Sequence, residues 1–292
     1  MSGFVLAAAR SGSGKTVVSC ALLGALKKRG LQPCSFKCGP DYIDPMYHRA
    51  ALGVDAHSLD VYLAGADTVR DIYRRYGSGG INVVEGAMGV FDGVGGATDE
   101  ASAWHVAQLL DLSIVLVVRP GGSSLTLAAE IRGLMAFREP CRIAAVILSD
   151  CTVVRAAAVA EIIERECGIP VLGVLPRCDE AAVASRHLGL VRASELEDLS
   201  ERLDALAALA EEHIDVSALV ALARGRGEVP MGAPSRLETS PGADVRLGVA
   251  SDEAFCFTYA ESIDALASRG VEVVPFSPLH DTQLPDDLDG LY

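Results

Sequence analysis

The chain has 292 residues, 50% of them hydrophobic, and 39 Asp and Glu against 25 Lys and Arg give it a net charge of −14. That field repels polyanions, which excludes a general nucleic-acid binder or a partner of anionic membrane and leaves any anionic ligand to a local cluster of lysines. No apolar run reaches the ~18 uncharged residues of a membrane span. The eight cysteines (Cys20, Cys34, Cys38, Cys141, Cys151, Cys167, Cys178 and Cys256) contain no CxxC pair. With no signal-like N-terminus, they read as reduced, mostly buried thiols of a cytoplasmic protein.

In chain order, apolar runs of strand length stand at Phe4–Ala9, Cys34–Phe36, Ile81–Val84, Ile114–Val118, Ile143–Leu148 and Val171–Leu175. Segments of helical period lie among them at Val17–Lys28, Ala101–Leu110, Leu125–Phe137 and Ala156–Cys167. Continuous rather than alternating apolar strands indicate a sheet covered on both faces. Strands alternating with helices predict an α/β fold with a doubly wound, mainly parallel sheet. Residues 193–223 read as two helices with Asp215 as N-cap at their junction. From about Gly225 the chain mixes Gly, Pro, Ser and charge without period, as linkers do. Beyond it a strand at Val245–Ala250, a helix near Ala260–Ser268, a strand at Val271–Pro275 and a third strand at Leu291–Tyr292 predict the opening of a second α/β domain. The expected organisation is a first domain over 1–224, a linker over 225–243 and an incomplete second domain over 244–292.

The decisive signal is Ala9-Arg10-Ser11-Gly12-Ser13-Gly14-Lys15-Thr16, placed after the first strand and opening the first helix. Such a loop offers successive backbone N–H groups and a helix N-terminus to phosphate oxygens. Ser11, Gly12, Ser13, Gly14, Lys15 and Thr16 are therefore the candidate nucleotide-binding residues. Lys15 is placed to reach the terminal phosphates and Thr16 to offer its hydroxyl to Mg²⁺. The motif departs from the usual pattern at its first position, where Ala9 replaces Gly. Ligands of open α/β sheets bind at the carboxyl ends of strands, so the segments after the second and third predicted strands belong to the same site. They are FKCGPDYIDP, with Lys37, Asp41 and Asp44, and VEGAMGVFDG, with Glu85 and Asp92. Lys37 adds a second cation beside Lys15, and Asp41 and Glu85 join Thr16 as candidate Mg²⁺ ligands, since Mg²⁺ takes a few carboxylates with phosphate oxygens and waters.

At these residues the sequence resembles a known family. SGSGKT, FKCGPDYIDPMYH, SLD at Ser58–Asp60, VVEGAMGVFDG, PVLGVLPR and RHLGL are similar to the cobyrinic acid a,c-diamide synthases, a group that includes the hydrogenobyrinate and Ni-sirohydrochlorin enzymes. Their synthetase half is similar to dethiobiotin synthetase. DEAFCFTY, PFSPLHD and LPDDLDGLY look like the start of the family's glutaminase domain. The resemblance implies an ATP-dependent ligase that amidates the a and c acetate carboxylates of a tetrapyrrole polycarboxylate through acyl phosphates. It implies Mg²⁺ as cofactor, glutamine as nitrogen donor in the family, and ammonia as donor for this chain, which ends before the family's nucleophilic cysteine. A homodimer is the assembly left open. Lys15, Lys37, Asp44 and Asp92 become candidate catalytic residues, and Tyr42, His48, Arg186 and His187 candidates for facing the macrocycle. Ser149-Asp150 stands where dethiobiotin-synthetase relatives carry an Asn near the adenine, which leaves base recognition open. Another ligase of that superfamily and a partition-type regulatory ATPase are the competing readings.

Overall fold

A computed structural model describes residues 1–41, 43–77, 79–178, 193–225 and 245–292. The chain divides into two compact units, Met1–Met231 and Gly232–Tyr292. Seven parallel strands form the sheet of the first unit: β1 (Ser2–Ala7), β2 (Cys34–Cys38), β3 (Ala56–Leu59), β4 (Ile81–Glu85), β5 (Ser113–Val118), β6 (Ile143–Cys151) and β7 (Val171–Pro176). Their spatial order is β3-β2-β4-β1-β5-β6-β7. The helices are α1 (Lys15–Lys28), α2 (Ile43–Leu52), α3 (Val61–Ala64), α4 (Ala66–Tyr76), α5 (Ala103–Leu109), α6 (Leu125–Ala136), α7 (Val153–Cys167), α8 (Ala193–His213) and α9 (Val216–Arg224).

The strands are buried on both faces, as their continuous apolar character requires. Val5 and Ala7 of β1 enter one core cluster, Phe4 and Leu6 the other. Asp215 caps α9 as expected, its carboxylate accepting from Ala218 N at 2.8 Å. Three helices and one strand between residues 43 and 76 were not expected. β3 is four residues of Ala-His-Ser-Leu, too short and polar to show a strand pattern, and it is held as an edge strand by pairing with β2.

α1 is central. Its residues Val18 to Leu26 are all buried, and a Cβ added at Gly24 would lie 2.8 Å from Ala207 Cβ of α8. Arg29 forms a two-pronged ion pair with Glu211 of α8 at 2.7 and 2.6 Å, but both side chains are about a third exposed. Such a pair contributes at most about 1 kcal/mol, whereas each fully buried leucine such as Leu22, Leu23 or Leu26 contributes roughly 1.5–3 kcal/mol. Apolar packing, not the ion pair, holds α8 on α1.

The second unit contains β8 (Val245–Ala250), α10 (Ala260–Ala267), β9 (Val271–Phe276) and β10 (Gly290–Leu291), with three parallel strands in the order β10-β8-β9. Arg246 of β8 links its neighbours, reaching Glu272 at 3.0 Å and the Asp286 carbonyl at 2.7 Å. No disulfide joins the eight cysteines. Among the described residues, no helix is long and apolar enough to cross a membrane.

Candidate active site

The site lies at the carboxyl ends of the strands, in a cleft of about 850 Å³. β1 turns directly into the phosphate loop, where Gly12 and Gly14 take left-handed φ values of 76° and 89° that other residues adopt only with strain. Ala9 does not have a positive φ, so the motif's first position has no need of glycine here. Gly14 caps α1 without any side-chain hydrogen bond, which leaves the first-turn amides for a ligand. The Ser149 hydroxyl of β6 donates to Ser13 O at 2.7 Å and so braces the loop from below. On the other side, Val90 N donates to Ala8 O at 2.7 Å and Gly86 N to Leu6 O at 2.8 Å, which lace the segment after β4 to the loop's base.

Ser11, Gly12, Gly14, Lys15 and Thr16 line the cleft, while the Ser13 hydroxyl turns back to Arg10 O. Buried Lys15 donates to the Met88 carbonyl at 2.6 Å, and Met88 takes a left-handed φ of 45°. An ammonium has three protons, so this contact orients Lys15 and leaves two donors for phosphate. Burial lowers the Lys15 pKa, with the Glu85 charge partly restoring it.

Lys37 of β2 and Glu85 of β4 are register partners on adjacent parallel strands. Lys37 Nζ donates to Glu85 Oε1 at 2.9 Å and to Asp44 of α2, and it stands 3.6 Å from Asp41 Oδ2. The Thr16 hydroxyl donates to the same Glu85 Oε1 at 2.8 Å. Burial alone would depress Lys37, but the Glu85 and Asp44 charges more than offset it and hold the ammonium well above its ordinary value. Asp44 nevertheless moves up, from burial and the Glu85 charge, although it is paired with Lys37. One ammonium serves two buried carboxylates, and Glu85, more deeply buried and better hydrogen bonded, keeps the larger share. Burial opposes ionisation of Glu85 too, but Lys37 outweighs it and holds that carboxyl below the usual range. Asp44 is therefore the carboxyl that gives way to protonation first.

The expected residues divide as follows. Lys15, Thr16, Lys37, Asp41, Asp44 and Glu85 are brought together in one cleft. Asp92 is exposed outside the cleft lining. Its Oδ2 accepts from Gly89 N at 2.9 Å, shaping the loop that carries Met88, and its charge still reaches Lys15. His48 must be corrected. It is 1% exposed, with Nδ1 at 2.8 Å from the Ser35 hydroxyl, and burial lowers its pKa to about 4, so it is a neutral core residue that cannot face a macrocycle. Tyr42, Arg186 and His187 lie outside the described residues.

The opposite wall of the cleft was not foreseen as a set. Arg119 follows β5, Asp150 is the penultimate residue of β6, and Leu175 and Pro176 end β7, with Arg177 directly after it. Asp150 pairs with both Arg119 and Arg177. PVLGVLPR contains Arg177, but only the sheet order reveals that it joins Asp150.

The residues fit a hard divalent cation bound together with phosphate. Glu85 Oε2 is buried without a hydrogen-bond partner, and the Thr16 hydroxyl, which donates to Oε1, keeps its lone pairs. Among the described residues, no group of three or more His, Cys, Asp or Glu side chains could hold a metal by itself.

A parallel sheet whose first strand runs into a glycine-bent phosphate loop, with an acid on the neighbouring strand, defines a P-loop nucleotide-binding domain. The family model for the CobQ/CobB/MinD/ParA nucleotide binding domain matches residues 4–191, and the chain belongs to that family. It is 38% identical to a cobyrinate a,c-diamide synthase of Clostridium tetani, over 100% of this chain and 64% of the relative. It is 41% identical to one from Gloeobacter violaceus, over 94% of this chain and 61% of that protein. A hydrogenobyrinate a,c-diamide synthase of Brucella anthropi is 40% identical over 100% of this chain and 66% of its own length. The chain thus spans about three fifths of the length of these relatives.

Proposed function

We propose that this chain is the ATP-dependent synthetase part of a cobyrinate-type a,c-diamide synthase. The observation that carries the reading is the Thr16–Glu85–Lys37 constellation beneath the phosphate loop, in a chain 38–41% identical over nearly its whole length to proteins of that name. An acetate carboxylate oxygen of the macrocycle attacks the γ-phosphorus of ATP, the bond to the β,γ-bridging oxygen breaks, and ADP leaves. Ammonia then attacks the acyl carbon, the carbon–oxygen bond to phosphate breaks, and the amide and inorganic phosphate remain, with one proton released from nitrogen.

Catalysis of this kind is mostly positioning and charge neutralisation. Lys15, oriented by the Met88 carbonyl, and Lys37, held charged by Glu85, meet the transferring phosphoryl group. Thr16, Glu85 and Asp41 would hold Mg²⁺, which supplies a Lewis-acid clamp on phosphate oxygens. Asp44, which lines the cleft and accepts from Lys37, is the candidate acceptor for the proton shed by nitrogen. Asp92 keeps the Met88 loop in shape beside Lys15.

The test is ADP release by the purified chain with ATP, Mg²⁺ and ammonium, using cobyrinate, hydrogenobyrinate or Ni-sirohydrochlorin as carboxylate. The expected result is ADP formation that depends on one of these macrocycles, with a diamide product by mass spectrometry. ATP turnover indifferent to all three would overturn the assignment and favour a regulatory ATPase.

A further inference from the structure

In-line displacement puts the attacking oxygen and the leaving oxygen on opposite sides of the phosphorus. With ADP held on the phosphate loop at the head of β1, the attacking carboxylate comes from the side of β2, past Lys37, Asp41 and Asp44. β3 lies next outward on that side, at the sheet's edge, with its last residue Leu59 in register with Cys38 at the end of β2. The two strand ends are tied together. Gly39 N donates to Leu59 O at 3.1 Å, and the Ser58 hydroxyl donates to Asp41 O at 3.2 Å. Neighbouring strands lie about 4.8 Å apart, so the turn after β3 begins about one strand spacing from the segment that carries Asp41.

That turn is α3, and it holds two large side chains out in solvent. Buried Asp60 caps it, accepting from Leu63 N at 3.0 Å. Val61 packs into the core, and Gly65, at a left-handed φ of 80°, follows the helix after a single turn. Tyr62 and Leu63 are left 66% and 64% exposed. Neither belongs to either core cluster. A connection between β3 and α4 would fold as well with polar residues at both positions. Adjacent large apolar side chains on a pinned support are the mark of a contact surface. The net charge of −14 points the same way. The general field opposes a polycarboxylate, so its affinity comes from cations at the reacting arm and from apolar contact elsewhere.

We infer that Tyr62 and Leu63 form an apolar shelf that receives the face of the tetrapyrrole macrocycle while one acetate arm reaches past Asp41 to Lys37 and the γ-phosphate. Tyr62 acts through its ring rather than its hydroxyl, and Asp60 is a positioning residue that fixes the shelf. The inference deepens the proposed function by assigning residues to the carboxylate substrate, and it rests on that reading.

The experiment measures ADP release against macrocycle concentration, at saturating ATP, Mg²⁺ and ammonium, for the natural chain, Tyr62→Ser, Leu63→Ser and Tyr62→Phe. Each is also titrated calorimetrically with the β,γ-imido analogue of ATP, without macrocycle. Covering the exposed share of one such side chain corresponds to about five- to thirty-fold in affinity. Tyr62→Ser and Leu63→Ser should each raise the KM for the macrocycle by that factor, with a much smaller change in kcat. The Kd of the ATP analogue should not move. Tyr62→Phe, which keeps the ring, should keep most of the macrocycle affinity. An unchanged macrocycle KM in both serine variants overturns the inference, and so does a loss in Tyr62→Phe equal to that in Tyr62→Ser. Weaker binding of the ATP analogue in step with the KM change also overturns it, because the turn would then act on the whole site through the fold. ADP release by the natural chain that ignores cobyrinate, hydrogenobyrinate and Ni-sirohydrochlorin alike removes the proposed function itself, and the inference with it.

Discussion

Lys37 Nζ and Glu85 Oε1 lie 2.9 Å apart across two adjacent parallel strands, at matched register, with both side chains almost wholly removed from solvent. Breaking one half of a buried pair typically costs about 3–5 kcal/mol, because it strands the other charge. Lys37→Met should therefore lower Tm markedly, and Lys37→Met combined with Glu85→Gln should recover much of that loss. Activity should recover in neither, since the proposed reaction uses both groups at the phosphates. A double mutant that regains turnover along with stability would make the pair structural only.

Lys15 is a different case, because its partner is a backbone carbonyl rather than a carboxylate. Lys15→Ala should leave Tm within a few degrees of the natural chain and reduce turnover by at least about 10²-fold, the usual effect of removing one contact to developing charge. Thermal melts and steady-state ADP release on the same preparation check both halves of this expectation.

Asp41 stands at the rim of the proposed cation site, and its carboxylate is about a third exposed. Asp41→Asn should raise the Mg²⁺ concentration for half-maximal ADP release, with little loss at saturating metal. Glu85→Gln, which alters the buried oxygens themselves, should lose activity that no Mg²⁺ concentration restores. A titration of rate against Mg²⁺ for the two variants reads the difference, and identical curves for both would remove them from the metal site.

His48 links the core to pH. Its pKa is lowered to about 4 by burial, below the ordinary value of 6.5. The unfolded chain thus binds a proton that the folded chain refuses, so stability is full above about pH 6.5 and declines as pH falls toward 4. At 1.36 kcal/mol per unit the loss is roughly 3 kcal/mol. His48→Gln should flatten the dependence of Tm on pH in that window, and an unchanged slope would assign the acid lability to other groups.

Much of this arrangement is legible in the sequence because its signals are local. The glycine-rich loop between an apolar run and a helix, and the acidic ends of β2 and β4, are read from neighbouring residues. Lys15, Thr16, Lys37, Asp41, Asp44 and Glu85 therefore converge as their strand positions imply. His48 misled for a related reason. It sits four residues past Asp44 on the same face of α2, but one helical turn further along the axis takes it out of the cleft lining to where its Nδ1 lies 2.8 Å from the Ser35 hydroxyl of β2. The Arg119–Asp150–Arg177 cluster stayed hidden because each member ends a different strand, and only the order β5-β6-β7 brings them together. β3 was lost because an edge strand takes its stability from its partner rather than from its own composition.

The close approach of Gly24 to Ala207 also bears on how the molecule is made. The helix that the phosphate loop opens is covered by α8, which is synthesised far later. Until α8 docks, the apolar surface of α1 has no cover on that side. Contacts of such long sequence separation form slowly, because the intervening chain must first be ordered. Nucleotide affinity should accordingly appear late in refolding, after the bulk of helical signal has returned, and substitutions at Gly24 should delay it even where the finished protein binds normally.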